Sequence, residues 1–114
     1  MAELKIIEAG DDLTHVALTG RLDSAGVPDV EPRFSSYVGA RRKPTIVDLS
    51  DLDFIASLGI GTLISAARGL KLHGVKMVLV APPEPIDKVL RAANIDRIIP
   101  IVGRDEAIEA AKSG

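Results

Sequence analysis

The segment best equipped for chemistry is Ser57-Leu58-Gly59-Ile60-Gly61-Thr62, a hydroxyl followed by two glycines at alternate positions. A glycine-rich turn entering a helix presents backbone N–H groups to an anion, and a hydroxyl there can carry a phosphoryl group. The pattern is not a nucleotide loop. It is neither G-x-x-x-x-G-K-S/T nor a complete G-x-G-x-x-G, because Ile64 stands at the third glycine position. A small nucleotide-binding or enzymatic domain is therefore the weakest of three readings. Ser57 suits the N-cap of the following helix, its hydroxyl accepting from an N–H two or three residues on. Gly59 and Gly61 then fall in the first turns, each costing up to about 1 kcal/mol relative to alanine. Leu58, Gly61, Thr62, Ser65 and Gly69 lie opposite or flanking the apolar stripe, forming a small, smooth face with one apolar residue at its tip. A docking face at the helix start and close packing inside the fold are both consistent with those residues. Phosphorylation of Ser57 would add about −1.5 to −2 charge, favourable at a helix N-terminus and disruptive in a close, partly apolar interface.

Other chemistry is thinly supplied. His15 and His73 have no ligand-type neighbour at metal spacing; His15 reads as a strand residue, and His73 as a cation near a helix C-terminus. Asp48, Asp51 and Asp53 cluster after a strand, where turn and solvation roles outweigh a metal site. No catalytic residue, metal or cofactor is assigned. With 46% hydrophobic and 26% charged residues and a formal net charge of −2, the 114 residues read as one ordinary domain over 1–114. Nucleic acid is not an expected partner, since that would call for a concentrated basic surface. Cysteine is absent, which removes disulfides and thiolate metal sites. The start Met1-Ala2-Glu3-Leu4-Lys5 lacks a basic then apolar leader, and no apolar run approaches the roughly 20 residues of a membrane span, so direct membrane insertion is not expected and the cytoplasm is the expected location.

The elements that must position Ser57 follow from periodicity. Leu4 to Glu8 and His15 to Gly20 read as an antiparallel hairpin turning at Gly10-Asp11-Asp12. Val30, Phe34, Tyr37 and Val38 recur at helical spacing, and Pro28 and Pro32 confine the expected helix to about Asp29 to Gly39. Thr45-Ile46-Val47-Asp48-Leu49 reads as the central strand, covered on both faces. Ile60, Leu63, Ile64, Ala67 and Leu70 form the core stripe of the next helix, closed by Gly74. A strand over Val75 to Val80, a helix through Ile86, Val89, Leu90 and Ala93 ending near Asn94, an edge strand over Ile98 to Val102 and a terminal helix over Asp105 to Lys112 complete the chain. The order predicts an α/β fold: a mixed, mainly parallel sheet of about five strands with about four helices packed on it.

The run Leu49-Ser50-Asp51-Leu52-Asp53-Phe54-Ile55-Ala56-Ser57-Leu58-Gly59-Ile60-Gly61 resembles the signature of bacterial anti-sigma factor antagonists, the STAS domain family. Leu18-Thr19-Gly20-Arg21-Leu22-Asp23 resembles their second strand and following loop, and Ala93-Asn94-Ile95-Asp96 with Ile98 and Ile99 their C-terminal portion, so the likeness spans essentially the whole chain. It implies a partner-switching module that is not an enzyme. Its partner would be an anti-sigma factor with serine kinase activity that phosphorylates Ser57, and a metal-dependent phosphatase would reset it. Asp23 corresponds to a loop acid near the partner-binding surface, which here takes in Ala56, Ser57, Leu58, Gly59, Gly61, Thr62 and Ser65. Ala56 stands where the family usually has aspartate and Leu58 where it has a second hydroxyl residue. A non-phosphorylated subunit of a phospholipid or anion transport system, or a stress-signalling scaffold, is the alternative. A homodimer is compatible with either.

Overall fold

The computed structural model describes residues 2–113. The chain runs β1 (Ala2–Ala9), β2 (Thr14–Leu22), α1 (Val27–Arg41), β3 (Thr45–Asp48), β4 (Leu52–Ile55), α2 (Ser57–Lys71), β5 (Met77–Val80), α3 (Glu84–Ala92), β6 (Ile101–Val102) and α4 (Ala107–Lys112). Short 3₁₀ turns, Ile95–Arg97 and Arg104–Glu106, precede β6 and α4. The sheet order is β1-β2-β3-β5-β6, with β4 pairing β2 beyond the point where β3 leaves it. β1 is antiparallel to β2, and the other pairs are parallel.

Every residue of β3 and of β5 is buried, as parallel strands covered on both faces must be. Alternate side chains feed two cores. Val16, Leu18, Val47, Leu49, Met77 and Leu79 face α1, α2 and α3, meeting Val30, Phe34, Leu63, Leu70 and Leu90. Ile46, Val78 and Val80 face the other way, against Ala107 and Ala111 of α4. His15, paired with Ile46 on that second face, is half-buried with Nε2 enclosed and unpartnered, a position in keeping with a strand residue rather than a ligand.

Three details differ from the expectation. A sixth strand, β4, forms at Leu52–Ile55, a stretch that periodicity had not assigned to any element, and the sheet keeps the expected mixed, mainly parallel order. Helix α1 begins at Val27 and runs to Arg41, because Pro28 occupies its first turn, where no N–H is needed. Pro32 sits inside that helix; its missing N–H orphans the carbonyl of Pro28 near the helix end, where water can reach it. The strand expected from Ile98 shrinks to Ile101–Val102, with Ile95 and Ile99 folded inward beneath α3.

Asp48 ties the central strand to the end of the chain. The residue is 5% exposed, and its carboxylate accepts from Ser50 N at 2.8 Å and from Arg104 Nη1 at 2.8 Å, while Arg104 Nη2 donates to Ser50 Oγ at 2.6 Å. Burial by itself would raise the Asp48 pKa, but the hydrogen bonds from Ser50 and the Arg104 charge outweigh it and hold the carboxyl below its ordinary value. A depressed carboxylate stabilises the fold above its unfolded pKa and loses that contribution as pH falls through the folded value. Arg104→Met is therefore expected to destabilise the domain by about 1–2 kcal/mol at neutral pH. Urea unfolding of both proteins should show the difference shrinking as pH falls below about 4; a difference unchanged by acid would separate Arg104 from the Asp48 charge.

Candidate functional site

Ser57 emerges where β2, β4 and α2 meet. Arg21 pairs with Phe54 and Leu22 with Ile55, so the ends of β2 and β4 lie side by side. Ala56 N continues that ladder by donating to Leu22 O at 2.9 Å. Held extended at φ −109 and ψ 175, Ala56 is the helix N-cap, and its carbonyl accepts from Ile60 N at 3.1 Å. The N-cap assignment of Ser57 is thus corrected by one residue. Ser57 is the first helical residue; it is exposed, and no side chain caps the helix start.

The two glycines divide cleanly. Gly59 is buried, and a Cβ there would lie 2.8 Å from Leu22 Cβ, 3.0 Å from Leu22 O and 3.1 Å from Ile55 Cγ1. Its presence is a packing requirement of the fold, so it underlies the surface instead of forming it. Gly61 is exposed with nothing within 4 Å of a Cβ. Nothing inside the domain asks for glycine at that position.

Leu58 is 53% exposed, and its carbonyl accepts from Thr62 Oγ1 at 3.2 Å. Ser57, Leu58, Gly61, Thr62 and Ser65 together form the α2 wall of an open groove of about 550 Å³. The facing wall is Val27, Pro28, Glu31 and Pro32 of α1, of which the two prolines had been read only as helix-limiting. Pro28 and Pro32 are four apart, which places them on one helix face and made their shared wall readable in principle.

Asp23 stands at the mouth of the β2–α1 loop. Its Oδ1 accepts from Gly26 N at 2.8 Å and Ala25 N at 3.1 Å, and Oδ2 from Arg21 Nε at 3.2 Å. The Gly26 amide first, and then Arg21, hold its carboxyl below the ordinary value. A Cβ on Gly26 would lie 1.8 Å from Arg21 O, so this turn admits only glycine there. Arg21 also lies 4.4 Å over the ring of Phe54, which is 38% exposed. Neither Arg21 nor Phe54 was singled out from sequence, because their juxtaposition depends on β4. Asp51 and Asp53 are exposed and Asp48 is engaged by Arg104, so the three acids do not converge; among the described residues no group of His, Asp and Glu is arranged to hold a metal. No helix among them is long and apolar enough to cross a membrane.

The glycines yield a paired expectation. Gly59→Ala should destabilise the domain by about 1–3 kcal/mol through overpacking against Leu22, whereas Gly61→Ala should stabilise it by up to about 1 kcal/mol. Thermal unfolding of the two variants checks both signs; equal effects would show that α2 is not seated on Leu22 as described.

Residues 5–107 match the STAS domain family. A Thermotoga maritima protein assigned to the anti-sigma factor antagonists is 28% identical over 80 residues, covering 69% of this chain and 71% of its own. The crystal structure of an anti-sigma factor antagonist from Mycobacterium paratuberculosis superposes with a TM-score of 0.85 at 22% identity, over 99% of this chain and 96% of the other. The Bacillus protein SpoIIAA superposes with a TM-score of 0.77 in its unphosphorylated form, at 19% identity over 95% of each chain, and with 0.70 in its phosphorylated form, at 19% identity over 96% of this chain and 100% of the other. With the family pattern covering all but the two ends and the architecture shared over nearly the full length, the chain belongs to the STAS domain family.

Proposed function

We propose that this protein is an anti-sigma factor antagonist acting in the cytoplasm: it binds an anti-sigma factor with serine kinase activity, is released when that kinase phosphorylates Ser57, and is reset by a phosphatase. The observation that carries the reading is an exposed serine at an uncapped helix start, beside an exposed leucine and a glycine that the fold does not need. Asp23, Ala56, Leu58, Gly61, Thr62 and Ser65 supply the docking surface around it, and Gly59 sets its height by letting α2 rest on Leu22. The names of the relatives support this assignment, and a fold neighbour solved in both phosphorylation states supports the switch.

The switch would work by local electrostatics. Unbonded N–H groups of the first turn and the positive end of the helix dipole favour a phosphate on Ser57, so the fold tolerates it. In the bound state the same phosphate would be pressed against a partner that packs on Leu58 and Gly61, where bulk and the cost of stripping water from a dianion oppose contact. Ala56 in place of an acid removes one repulsive charge from beside the phosphate.

Incubated with the cognate kinase and ATP, the wild type should gain one phosphate by intact mass and Ser57→Ala none. Phosphate retained on Ser57→Ala would refute the site. The phosphorylated form should keep or raise its thermal midpoint while losing the partner. Leu58→Asp should weaken partner binding by about tenfold or more, with stability changed by no more than about 0.5 kcal/mol; unfolding of this variant would place Leu58 in the core instead.

A further inference from the structure

Strand β1 carries a surface unrelated to Ser57. It pairs with β2 on one side, and among the described residues its other edge is free along the eight residues of the strand. Edges of that length are usually blunted, because unpaired N–H and C=O groups invite another strand. A bulge at Ile7 and the charges of Lys5 and Glu8 blunt this edge only in part, for two adjacent isoleucines are exposed, Ile6 at 47% and Ile7 at 52%.

A bulge sets the facing of the side chains. Ile6 pairs with Val16 and Glu8 with His15, so Ile7 is an extra residue in the strand. Val16 and His15 are neighbours on β2 and face opposite sides, hence so do Ile6 and Glu8. Lys5, paired with Ala17, therefore shares a face with Glu8, although residues three apart on a regular strand would not. In an antiparallel pair related by a two-fold axis, residues directly opposite must share a face. The bulge permits one such register with its axis between Ile6 and Ile7. It sets Lys5 against Glu8 twice and Leu4 against Ala9, pairs whose faces match, with the bulged Ile7 across from Ile6 at the centre. An axis on Ile6 or on Ile7 mismatches the faces, and one on Lys5 opposes like charges. An axis on Leu4 matches Glu3 with Lys5 but leaves Ile7 and Glu8 outside the paired stretch.

A second observation points to the same occupant. An open groove of about 320 Å³ lies beside this edge, lined by Leu4, Ile6, Arg33, Ser36 and Tyr37 between β1 and α1. In the register centred on Ile6 and Ile7, the second strand runs alongside Leu4 and Ile6, the two β1 residues that line the groove. We propose that β1 pairs edge to edge with β1 of a second copy of this chain, with Lys5 of each copy facing Glu8 of the other.

Sedimentation of the purified chain from micromolar to millimolar concentration tests this. The wild type should pass from monomer to dimer, and Lys5→Glu or Glu8→Lys should each weaken the association by about tenfold by setting like charges opposite. The double variant carrying both reversals should restore it, while Glu3→Lys should have little effect. Ile7→Lys, at an exposed position, should abolish it with an unchanged circular dichroism spectrum. A monomer at all concentrations, a double variant no tighter than the single ones, or a dimer that survives Ile7→Lys would overturn the proposal.

Discussion

Position 59 has no side chain, and the lie of helix α2 depends on that. Leu22 occupies the space a Cβ would need, with its Cβ 2.8 Å from that point. Because α2 can settle onto Leu22, the chain between β4 and the helix needs no connecting loop: Ala56 is still bonded to Leu22 O and already serves as the N-cap. Ser57 follows in the first helical turn and is forced outward. Exposure of the serine, the placement of Leu58 beside it and the nearness of the Asp23 turn are consequences of a single close contact between the ends of β2 and α2.

That contact also explains which parts were readable from sequence. The buried strands announced themselves, since Thr45-Ile46-Val47 and Val78-Leu79-Val80 leave no solvent face, and the α2 stripe through Leu63 and Leu70 has an unbroken helical period. Strand β4 did not. In Leu52-Asp53-Phe54-Ile55 the end residues are buried and the middle two exposed, because pairing with β2 slips between Gly20 and Arg21 and the alternation is lost. Gly59 and Gly61 look alike as letters. Whether a glycine is filled from inside or left open outside is decided by Leu22, which belongs to another element. The cap was misplaced by one residue for the same reason, since the boundary is drawn by a hydrogen bond to Leu22 O. Asp48 grouped with Asp51 and Asp53 by proximity in sequence, yet its partner Arg104 lies near the far end of the chain.

The outer face of α2 is built against helix stability. Gly61 and Gly69 each cost up to about 1 kcal/mol relative to alanine, and nothing packs where their Cβ atoms would be. On the facing wall, Pro32 deprives the Pro28 carbonyl of its helical partner. Of these, Gly61 and Pro32 line opposite walls of one groove, and they stand out in a domain whose interior obeys its patterning closely. Selection for stability alone would remove them, so a surface that must stay small and approachable is the consistent reading.

The β1 edge and the proposed switch can act without interfering. Ala2 pairs with Gly20 near the Asp23 end of β2, whereas Lys5 to Glu8 pair with Ala17 to His15 toward the other end. From Leu22 back to Val16 the strand spans roughly 20 Å at about 3.3 Å per residue. The Debye length at physiological salt is about 8 Å, so charge added at Ser57 is screened before it reaches the Lys5 and Glu8 row. Pairing through β1 would extend the sheet sideways and leave both copies of the α1–α2 groove open, giving a dimer with two independent switches. Coupling between them would need a change in β2 itself, and β2 is pinned by β3 along one half and by β4 along the other.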